Sequence, residues 1–232
     1  MNVPAAPTRP IRPLTIAVIV LLAVQIGLLA FQAAAFIRRI DLLHEIQRGA
    51  FVTKTQADAS DQLVAQGAAL WSMTFLACAF VWLVWQHHAQ VNARALTNGG
   101  TSITPGWAVG WWFIPFANLV KPYQAMHELR QASAGGPAWY ERGVVPAIVI
   151  WWFTWIGFNV IGVFALGDRT TVDSLITADR FHLVSVLIGI VSACLAIWIV
   201  RSVLTRQERA IAVAERPGLP PAPIPPPPMP TI

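Results

Sequence analysis

The sequence predicts an all-α integral membrane protein: a four-helix bundle with a Trp-rich segment and an amphipathic helix on its cytoplasmic side, between the second and third spans. Hydrophobic residues make up 56% of the chain and charged residues only 12%, whereas soluble domains carry about 25% charged residues. Four uncharged runs are long enough to cross a bilayer, which takes about 20 apolar residues in a helix. The eleven tryptophans suit lipid headgroups, where an indole ring keeps one end wet and one end dry.

The first run covers residues 14–37 and follows a basic, proline-rich arm, residues 1–13, that we expect to be disordered. A signal peptide is the alternative, because two arginines precede the run. Signal peptides use about 7 to 15 apolar residues, which is shorter than this run. We therefore predict a first span that continues as an amphipathic helix through Gln47 and is stopped by Gly49.

Three further spans are predicted at residues 63–85, 144–166 and 181–200, and together the four spans form a membrane domain over residues 14–205. A polar loop over residues 167–182 is expected to lead into the fourth span. The stretch before the second span is polar and is predicted to be a turn over residues 51–60. Three residues are available to cap the helix that follows it: Asp58, Ser60 and Asp61.

The distribution of lysine and arginine predicts the orientation of the chain. The side that holds the N-terminal arm, residues 86–143 and the C-terminal tail carries ten of these residues, and the two loops opposite carry six. Cytoplasmic segments carry the excess of positive charge, so both termini and the Trp-rich segment are predicted to be cytoplasmic, in the inner (plasma) membrane. Arg38 and Arg39 lie on the opposite side and reduce the excess without reversing it.

The segment over residues 104–133 is the feature around which the rest of the chain is arranged. Its first part, residues 107–120, has no charge and is interrupted by Gly110 and Pro115, so it is too short and too broken to span. It is predicted to be re-entrant or to lie on the membrane surface. In its second part, Pro122 suits the first turn of a helix, and three apolar residues repeat at helical spacing: Tyr123, Met126 and Leu129.

This segment resembles the signature of a bacterial membrane-protein family, the domain of unknown function 4328. The residues that carry the resemblance are Pro105, Gly106, Trp107, Gly110, Trp111, Trp112, Pro115, Asn118, Pro122, Tyr123, Ala125 and Met126. With its flanks, the similarity extends over about residues 14–205. It implies an integral membrane protein with four helices and no established activity, and it supplies no catalytic residues.

Small residues predict how two of the spans pack. Ser185, Gly189 and Ala193 recur every four residues on the fourth span, as Ala68 and Ser72 do on the second. Small side chains let helix backbones approach closely in lipid. The sequence therefore predicts that these two faces meet within one bundle.

Catalysis and metal binding find little support in the residues. The four predicted spans contain no Asp, Glu, Lys or Arg, which argues against a pump or a proton-coupled carrier. His87, His88, His127 and Glu128 are predicted on the cytoplasmic side, but their spacing matches no HExxH or paired CxxC zinc motif. We predict no catalytic residue, no metal, no cofactor and a protein that is not an enzyme.

The favoured function is a non-enzymatic membrane scaffold that interacts with partners. A helical stem and a proline-rich tail make up residues 206–232, and polyproline II segments bind aromatic grooves at low ordering cost. The expected partners are membrane lipids, including anionic lipid, and proteins that bind the tail. Nucleic acid is not expected as a partner, since the sixteen basic residues form no stripe. The sequence also leaves open whether the protein forms a homo-oligomer.

Two alternatives to the scaffold stay open. One is a small channel or transporter gated by residues 107–122, in which Gln25, Asn118 and Asn159 would face a single wet cavity. The other is an interfacial enzyme that acts on lipids through Tyr123, His127 and Glu128. It is less favoured, because no pair of nucleophile and base has a recognisable spacing.

Overall fold

The computed structural model describes residues 9–136, 139–141, 143–164, 167 and 169–214, and these residues form helices, turns and connecting segments without a β-strand. The six α-helices in this part of the chain are α1 (Arg12–Gln47), α2 (Lys54–Leu96), α3 (Pro105–Gly110), α4 (Lys121–Ala132), α5 (Pro146–Phe164) and α6 (Val172–Ala214). Single 3₁₀ turns occur at Trp111–Phe113, Ala117–Leu119 and Trp139–Glu141.

Among these helices, α1, α2, α5 and α6 are long and apolar enough to cross a membrane. The 43 residues of α2 and of α6 reach about 65 Å at 1.5 Å per residue, roughly twice the hydrocarbon thickness, so both extend well beyond it. The predicted all-α, four-helix membrane fold is confirmed. Residues 1–8 of the predicted arm, 165–166 of the predicted third span and 215–232 of the predicted tail lie outside the described residues.

The helices α2 and α6 begin earlier than predicted, because each has a capping motif. The Thr53 N–H donates to Gln56 Oε1 (2.9 Å), and the Gln56 N–H donates to Thr53 Oγ1 (3.3 Å). Thr171 and Ser174 make the same exchange ahead of α6, at 3.0 and 3.1 Å. These bonds satisfy N–H groups that a helix start leaves unpaired. The turn predicted over residues 51–60 therefore ends at Thr53, and its later part, with the later cap, is wrong. The loop predicted over 167–182 ends at Thr171, and its part from residue 172 onward is wrong.

Glycines follow the ends of α1 and α2. Gly49 has φ +80°, in the left-handed region, and its N–H bonds to the Ile46 carbonyl at 3.0 Å. Gly99 has φ +85°, and its N–H bonds to the Arg94 carbonyl at 2.7 Å. Because glycine has no Cβ, it takes this conformation without strain. The predicted stop at Gly49 is confirmed.

The chain divides into two compact units. The span unit consists of Ile19–Ala79 and Ile150–Ala196. The platform unit consists of the described residues of Met1–Val18, Phe80–Val149 and Ile197–Ile232. Both units include parts of α1, α2, α5 and α6, so these helices belong to the apolar spans and also to the unit that contains the Trp-rich segment.

Glycines bring helices of the span unit together. A Cβ added to Gly189 of α6 would lie 2.8 Å from the Phe158 ring of α5, and the Ser185 hydroxyl donates to the Phe158 carbonyl at 2.9 Å. A Cβ added to Gly67 of α2 would lie 3.0 Å from Gln32 Cγ of α1. The Gln32 side-chain amide donates to the Gly67 carbonyl at 3.2 Å. These contacts join α5 with α6 and α1 with α2, and Leu29 of α1 also lies 3.3 Å from the Cβ added to Gly189.

The predicted meeting of the second and fourth spans through small residues is wrong. Ala68 and Ser72 are exposed on α2, and the Ser72 hydroxyl bonds to the Ala68 carbonyl of its own helix. Ser185, Gly189 and Ala193 are buried, but Ser185 and Gly189 contact α5. The neighbouring Gly67 packs against α1, which leaves the face of Ala68, about 100° further round the helix, uncovered.

Candidate membrane-interface site around residues 104–133

The Trp-rich segment begins with a capped short helix. The Thr104 hydroxyl accepts the Trp107 N–H at 3.4 Å, and Pro105 lies in the first turn of α3, where its missing N–H leaves no donor unpaired. The rings of Trp107 and Trp111 stack, with centroids 4.6 Å apart. The predicted signature is therefore a short helix and two 3₁₀ turns rather than a continuous span.

One side of this segment is apolar and exposed. The exposed fraction is 52% for Trp107, 70% for Phe113 and 87% for Phe116. Phe116 also has φ +64°, a conformation that costs a bulky residue about 1 to 3 kcal/mol. We call residues 107–120 the aromatic ridge. Apolar surface of this kind marks a contact with lipid or with another protein.

The other side of the aromatic ridge is attached to α2 through a buried glutamine. Gln86 donates its side-chain amide to the Ala108 carbonyl of α3 at 3.2 Å. It also accepts the indole N–H of Trp112 at 2.8 Å. Since Gln86 is fully buried, these bonds are protected from water and fix the position of the ridge.

Further buried polar residues extend this contact into a layer. Gln90 donates to the Ala125 carbonyl of α4 at 3.2 Å. Gln207 of α6 donates to the Ala89 carbonyl at 2.8 Å and contacts Ser133 Oγ at 3.1 Å. Asn92 donates to Gln207 Oε1 at 3.1 Å. We call Gln86, Gln90, Asn92 and Gln207 the polar layer, and all four are fully or almost fully buried.

The amphipathic helix predicted after the ridge is α4, and Pro122 lies in its first turn. Met126 and Leu129 are fully buried, whereas Tyr123 is half-buried. The predicted apolar face is present, but the platform unit itself covers it. The exposed apolar surface therefore belongs to the aromatic ridge and not to α4.

A family model described as a domain of unknown function, DUF4328, matches residues 48–205. The chain belongs to this family. No curated protein and no solved structure matches it. The match begins after α1, so it starts later than the resemblance predicted from residue 14. Together with the four apolar helices, it makes this DUF4328 member a membrane-embedded protein of unknown activity.

The other signature residues of this DUF4328 member, and Lys121 beside them, have different surroundings. A Cβ on Gly110 would lie 3.4 Å from the Trp107 ring, whereas Gly106 faces open space. Pro115 is exposed at the turn between the 3₁₀ elements. Asn118 keeps a buried Oδ1 without a hydrogen-bond partner among the described residues. Lys121 lies over the Trp111 ring, 5.7 Å from its centroid.

The residues considered for catalysis are placed as follows. Glu128 accepts the Ser102 hydroxyl and, at 3.2 Å, the Ile103 N–H, so its carboxylate holds the loop ahead of α3. His127 keeps a buried Nε2 without a partner among the described residues. Burial lowers the pKa of His127, and the positive charge of Arg130 lowers it further. Tyr123 lies beside His127 with ring centroids 6.0 Å apart.

A charged cluster that the sequence did not predict lies in the span unit. The Arg39 Nε–H donates to Asp179 at 2.7 Å, and a second guanidinium N–H of Arg39 donates to the other oxygen of Asp179. A third contact joins Arg39 to Asp61 at 3.2 Å. Asp179 is fully buried. The signal was present, because each of these residues lies two positions outside a predicted span.

Proposed function

We propose that this protein is a non-enzymatic membrane scaffold, anchored by four helices, whose aromatic ridge lies in the headgroup layer of the cytoplasmic leaflet. The observation that carries the proposal is the two-sided character of the ridge. Its outer side exposes Trp107, Phe113 and Phe116, and its inner side is fixed to α2 through Gln86. An apolar surface whose position is fixed by hydrogen bonds is suited to contact lipid.

The energetics favour lipid over water as the surrounding of the ridge. Removing a phenylalanine side chain from water contributes about 1.5 to 3 kcal/mol. Because Phe113 and Phe116 are largely exposed, they lose most of this favourable transfer free energy when water surrounds the ridge. Insertion among acyl chains would recover it and would offset the backbone strain at Phe116. The ridge therefore gains most where the headgroups end and the hydrocarbon begins.

The distribution of charge supports cytoplasmic termini. The full sequence ranges of the platform unit, residues 1–18, 80–149 and 197–232, contain ten Lys and Arg and four Asp and Glu, a net charge of +6. The span unit contains six basic and seven acidic residues, a net charge of −1. Excess Lys and Arg stay on the cytoplasmic side of a membrane and attract its anionic lipids. The charge distribution therefore supports the proposal that the aromatic ridge and both termini lie inside the cell.

The channel and enzyme alternatives gain less support. Gln25 donates to the Thr74 carbonyl at 3.4 Å. Asn159 is exposed and donates to the Trp155 carbonyl of its own helix. Each of these side chains has its own backbone acceptor, which does not favour a shared wet pathway. Glu128, one of the residues considered for lipid chemistry, has a structural role in holding residues 102 and 103.

A depth measurement tests the position of the ridge. An environment-sensitive fluorophore is attached to Phe116→Cys in a background with Cys78→Ala and Cys194→Ala, and the protein is reconstituted in vesicles. We expect blue-shifted emission and quenching by lipids that carry a quencher on the acyl chain. Gln124→Cys, exposed on α4, is the matched control and should report water. Equal emission and quenching at the two positions would reject the proposed insertion.

A second measurement tests the interaction role of the tail. Residues 217–232 are replaced by a Gly/Ser segment of equal length, which removes the prolines but keeps a flexible connection of the same number of residues. Proteins crosslinked to the full chain in cells are compared with those crosslinked to the replacement. We expect the loss of specific crosslinks. If every crosslinked protein is retained, the tail has no part in the scaffold.

A further inference from the structure

An exposed amide lies within the apolar run of α5. Asn159 is exposed, and it lies four residues from the centre of the third predicted span, residues 144–166. At 1.5 Å per residue this is about 6 Å from the middle of the bilayer, whose hydrocarbon extends about 15 Å to either side. An asparagine side chain is too short to reach the headgroups from this depth. In a single copy of the protein, the amide therefore faces hydrocarbon.

The chain itself satisfies only part of the Asn159 amide. Its Nδ2 donates one hydrogen to the Trp155 carbonyl at 2.7 Å. Among the described residues, Oδ1 and the second N–H of Nδ2 have no hydrogen-bond partner. The bilayer core has no water to bond to these groups, and an unpaired polar group is costly there. A polar partner at the same depth would therefore stabilise them.

The other side-chain amides of the predicted spans are in a different situation. Gln25 and Gln32 are buried, and each donates to a backbone carbonyl of α2. Gln66 is exposed, but it lies three residues after the start of the second predicted span and so close to the headgroups. Asn159 differs from all three, because it is exposed deep within a span.

The surface beside Asn159 is apolar and uncovered by the rest of the span unit. Val160 is 49% exposed and Val163 is 66% exposed. Val163 follows Asn159 by one turn, about 40° round the helix, so the two side chains are neighbours. Valine has few rotamers to lose when it packs. Phe158, which contacts α6, lies on another side of α5. A second helix can therefore approach Asn159 without displacing α6.

We propose that Asn159 joins two copies of this protein in the membrane, with α5 of one copy against α5 of the other. Copies that insert in the same direction have parallel α5 helices, so their Asn159 side chains lie at the same depth. An amide is complementary to itself in partial charge, because its N–H is positive and its oxygen is negative. Across a two-fold axis, the free N–H of each copy donates to Oδ1 of the other.

Interhelical hydrogen bonds between amides hold helices together in lipid, where the hydrophobic effect does not. The pairing also removes both unpaired groups of each Asn159 from hydrocarbon. The inference goes beyond the scaffold function, because it depends on α5 within the membrane and not on the insertion of the aromatic ridge. A ridge that fails to insert would leave this pairing unchanged.

Counting the copies in each vesicle tests the pairing. The full chain carries one fluorophore at Gln124→Cys, exposed on α4, in a background with Cys78→Ala and Cys194→Ala. Photobleaching steps, recorded as the protein-to-lipid ratio is lowered, give the dissociation constant of the dimer. Asn159→Leu removes the amide at similar size and should weaken the dimer about tenfold, the effect of two interhelical hydrogen bonds. Asn159→Gln keeps an amide and should retain most of the affinity.

Thr154→Val is the matched control, because it removes a hydroxyl from the same helix without changing its size. This hydroxyl lies about 140° round from Asn159 and bonds to the Ile150 carbonyl at 2.8 Å. The substitution should leave the dissociation constant unchanged. Equal weakening by Thr154→Val and Asn159→Leu would overturn the proposal. Single bleaching steps at every protein-to-lipid ratio would also overturn it, because the protein would then be a monomer.

Crosslinking locates the contact with Asn159 intact. In the background without native cysteines, Val163→Cys should form disulfide-linked dimers when membranes are treated with an oxidant. Leu187→Cys on α6 is the control, because Leu187 is exposed to a similar extent, 61%, and it should stay monomeric. Equal crosslinking at the two positions would indicate random collision. Crosslinking at Leu187→Cys alone would place the contact on α6, and either result rejects the pairing through α5.

Discussion

Arg39 is buried just beyond the apolar run of α1, and two carboxylates hold its guanidinium. Asp179 contributes both oxygens and is fully buried, whereas Asp61 contributes one contact and is largely exposed. Taking such a pair out of water costs several kcal/mol per ion, which is offset only when the geometry is good. The fork of Arg39 against Asp179 meets this condition. Arg39, one of the two arginines that counted against the predicted orientation, is therefore neutralised within the fold.

Replacing Asp179 by Asn should destabilise the protein by about 3 to 5 kcal/mol, because Arg39 would stay buried without its main counter-charge. Chemical unfolding in detergent micelles measures the change. The control is Asp173→Asn, which removes an exposed carboxylate that accepts from Gln47 and should alter stability little. Equal effects of the two substitutions would show that the Arg39 pair is unimportant. Adding Arg39→Met to Asp179→Asn should restore part of the loss.

His127 gives stability a predictable dependence on pH. Burial and Arg130 lower its pKa below the ordinary value of 6.5, so the unfolded chain binds more protons than the folded one between these two pKa values. Stability is therefore complete above pH 6.5 and falls as the pH drops towards the folded pKa. His127→Gln should flatten thermal stability measured from pH 7.5 to 5. Some slope should remain, since burial also lowers the pKa of His88; an unchanged slope would contradict the assignment.

At the scale of elements, Asn92 joins three parts of the platform unit. Its Oδ1 accepts the Arg9 N–H at 2.7 Å, and its Nδ2 donates to the Arg9 carbonyl at 2.8 Å and to Gln207. A single buried amide thus satisfies the N–H and carbonyl groups of Arg9 before α1 and bonds to the glutamine of α6. Loss of this side chain would leave several buried polar groups without partners, at about 1 to 3 kcal/mol for each group.

Asn92→Ala should release the chain at Arg9 from α2. Hydrogen exchange read by mass spectrometry should show faster exchange in peptides that contain Arg9 and Ile11, while the central part of α1 stays protected. Asn159→Ala removes an exposed amide whose hydrogen bond within the chain is confined to α5 and should leave exchange near Arg9 unchanged. Similar exchange in the two variants would mean that Asn92 does not hold the arm.

The helices and their contacts also show which structural features can be predicted from the sequence. Uncharged runs identified the membrane helices, and the pairs Thr53 with Gln56 and Thr171 with Ser174 are capping signals that a closer interpretation would have used. The polar layer is different, because its bonds join residues 35 and 118 positions apart. Glutamines beyond a span look like ordinary solvated residues until the fold brings α4 and α6 against them.

At the scale of the whole molecule, hydrophobic composition and positive charge are concentrated in different parts of the chain. Hydropathy identifies the stretches that are able to cross the membrane, and the uneven distribution of Lys and Arg predicts their direction. The structure adds that the basic excess belongs to the unit that carries the aromatic ridge. Orientation and the position of the ridge are thus coupled: if one is reversed, the other is reversed with it.

Cysteine accessibility tests this orientation in spheroplasts, in a background with Cys78→Ala and Cys194→Ala. Phe51→Cys lies between α1 and α2, where Phe51 is 91% exposed, and should react with a membrane-impermeant maleimide from outside. Gln124→Cys, exposed on α4, should react only after the membrane is permeabilised, because the platform unit carries the positive charge that stays inside. The reverse pattern would invert the topology and would move the aromatic ridge to the outer face.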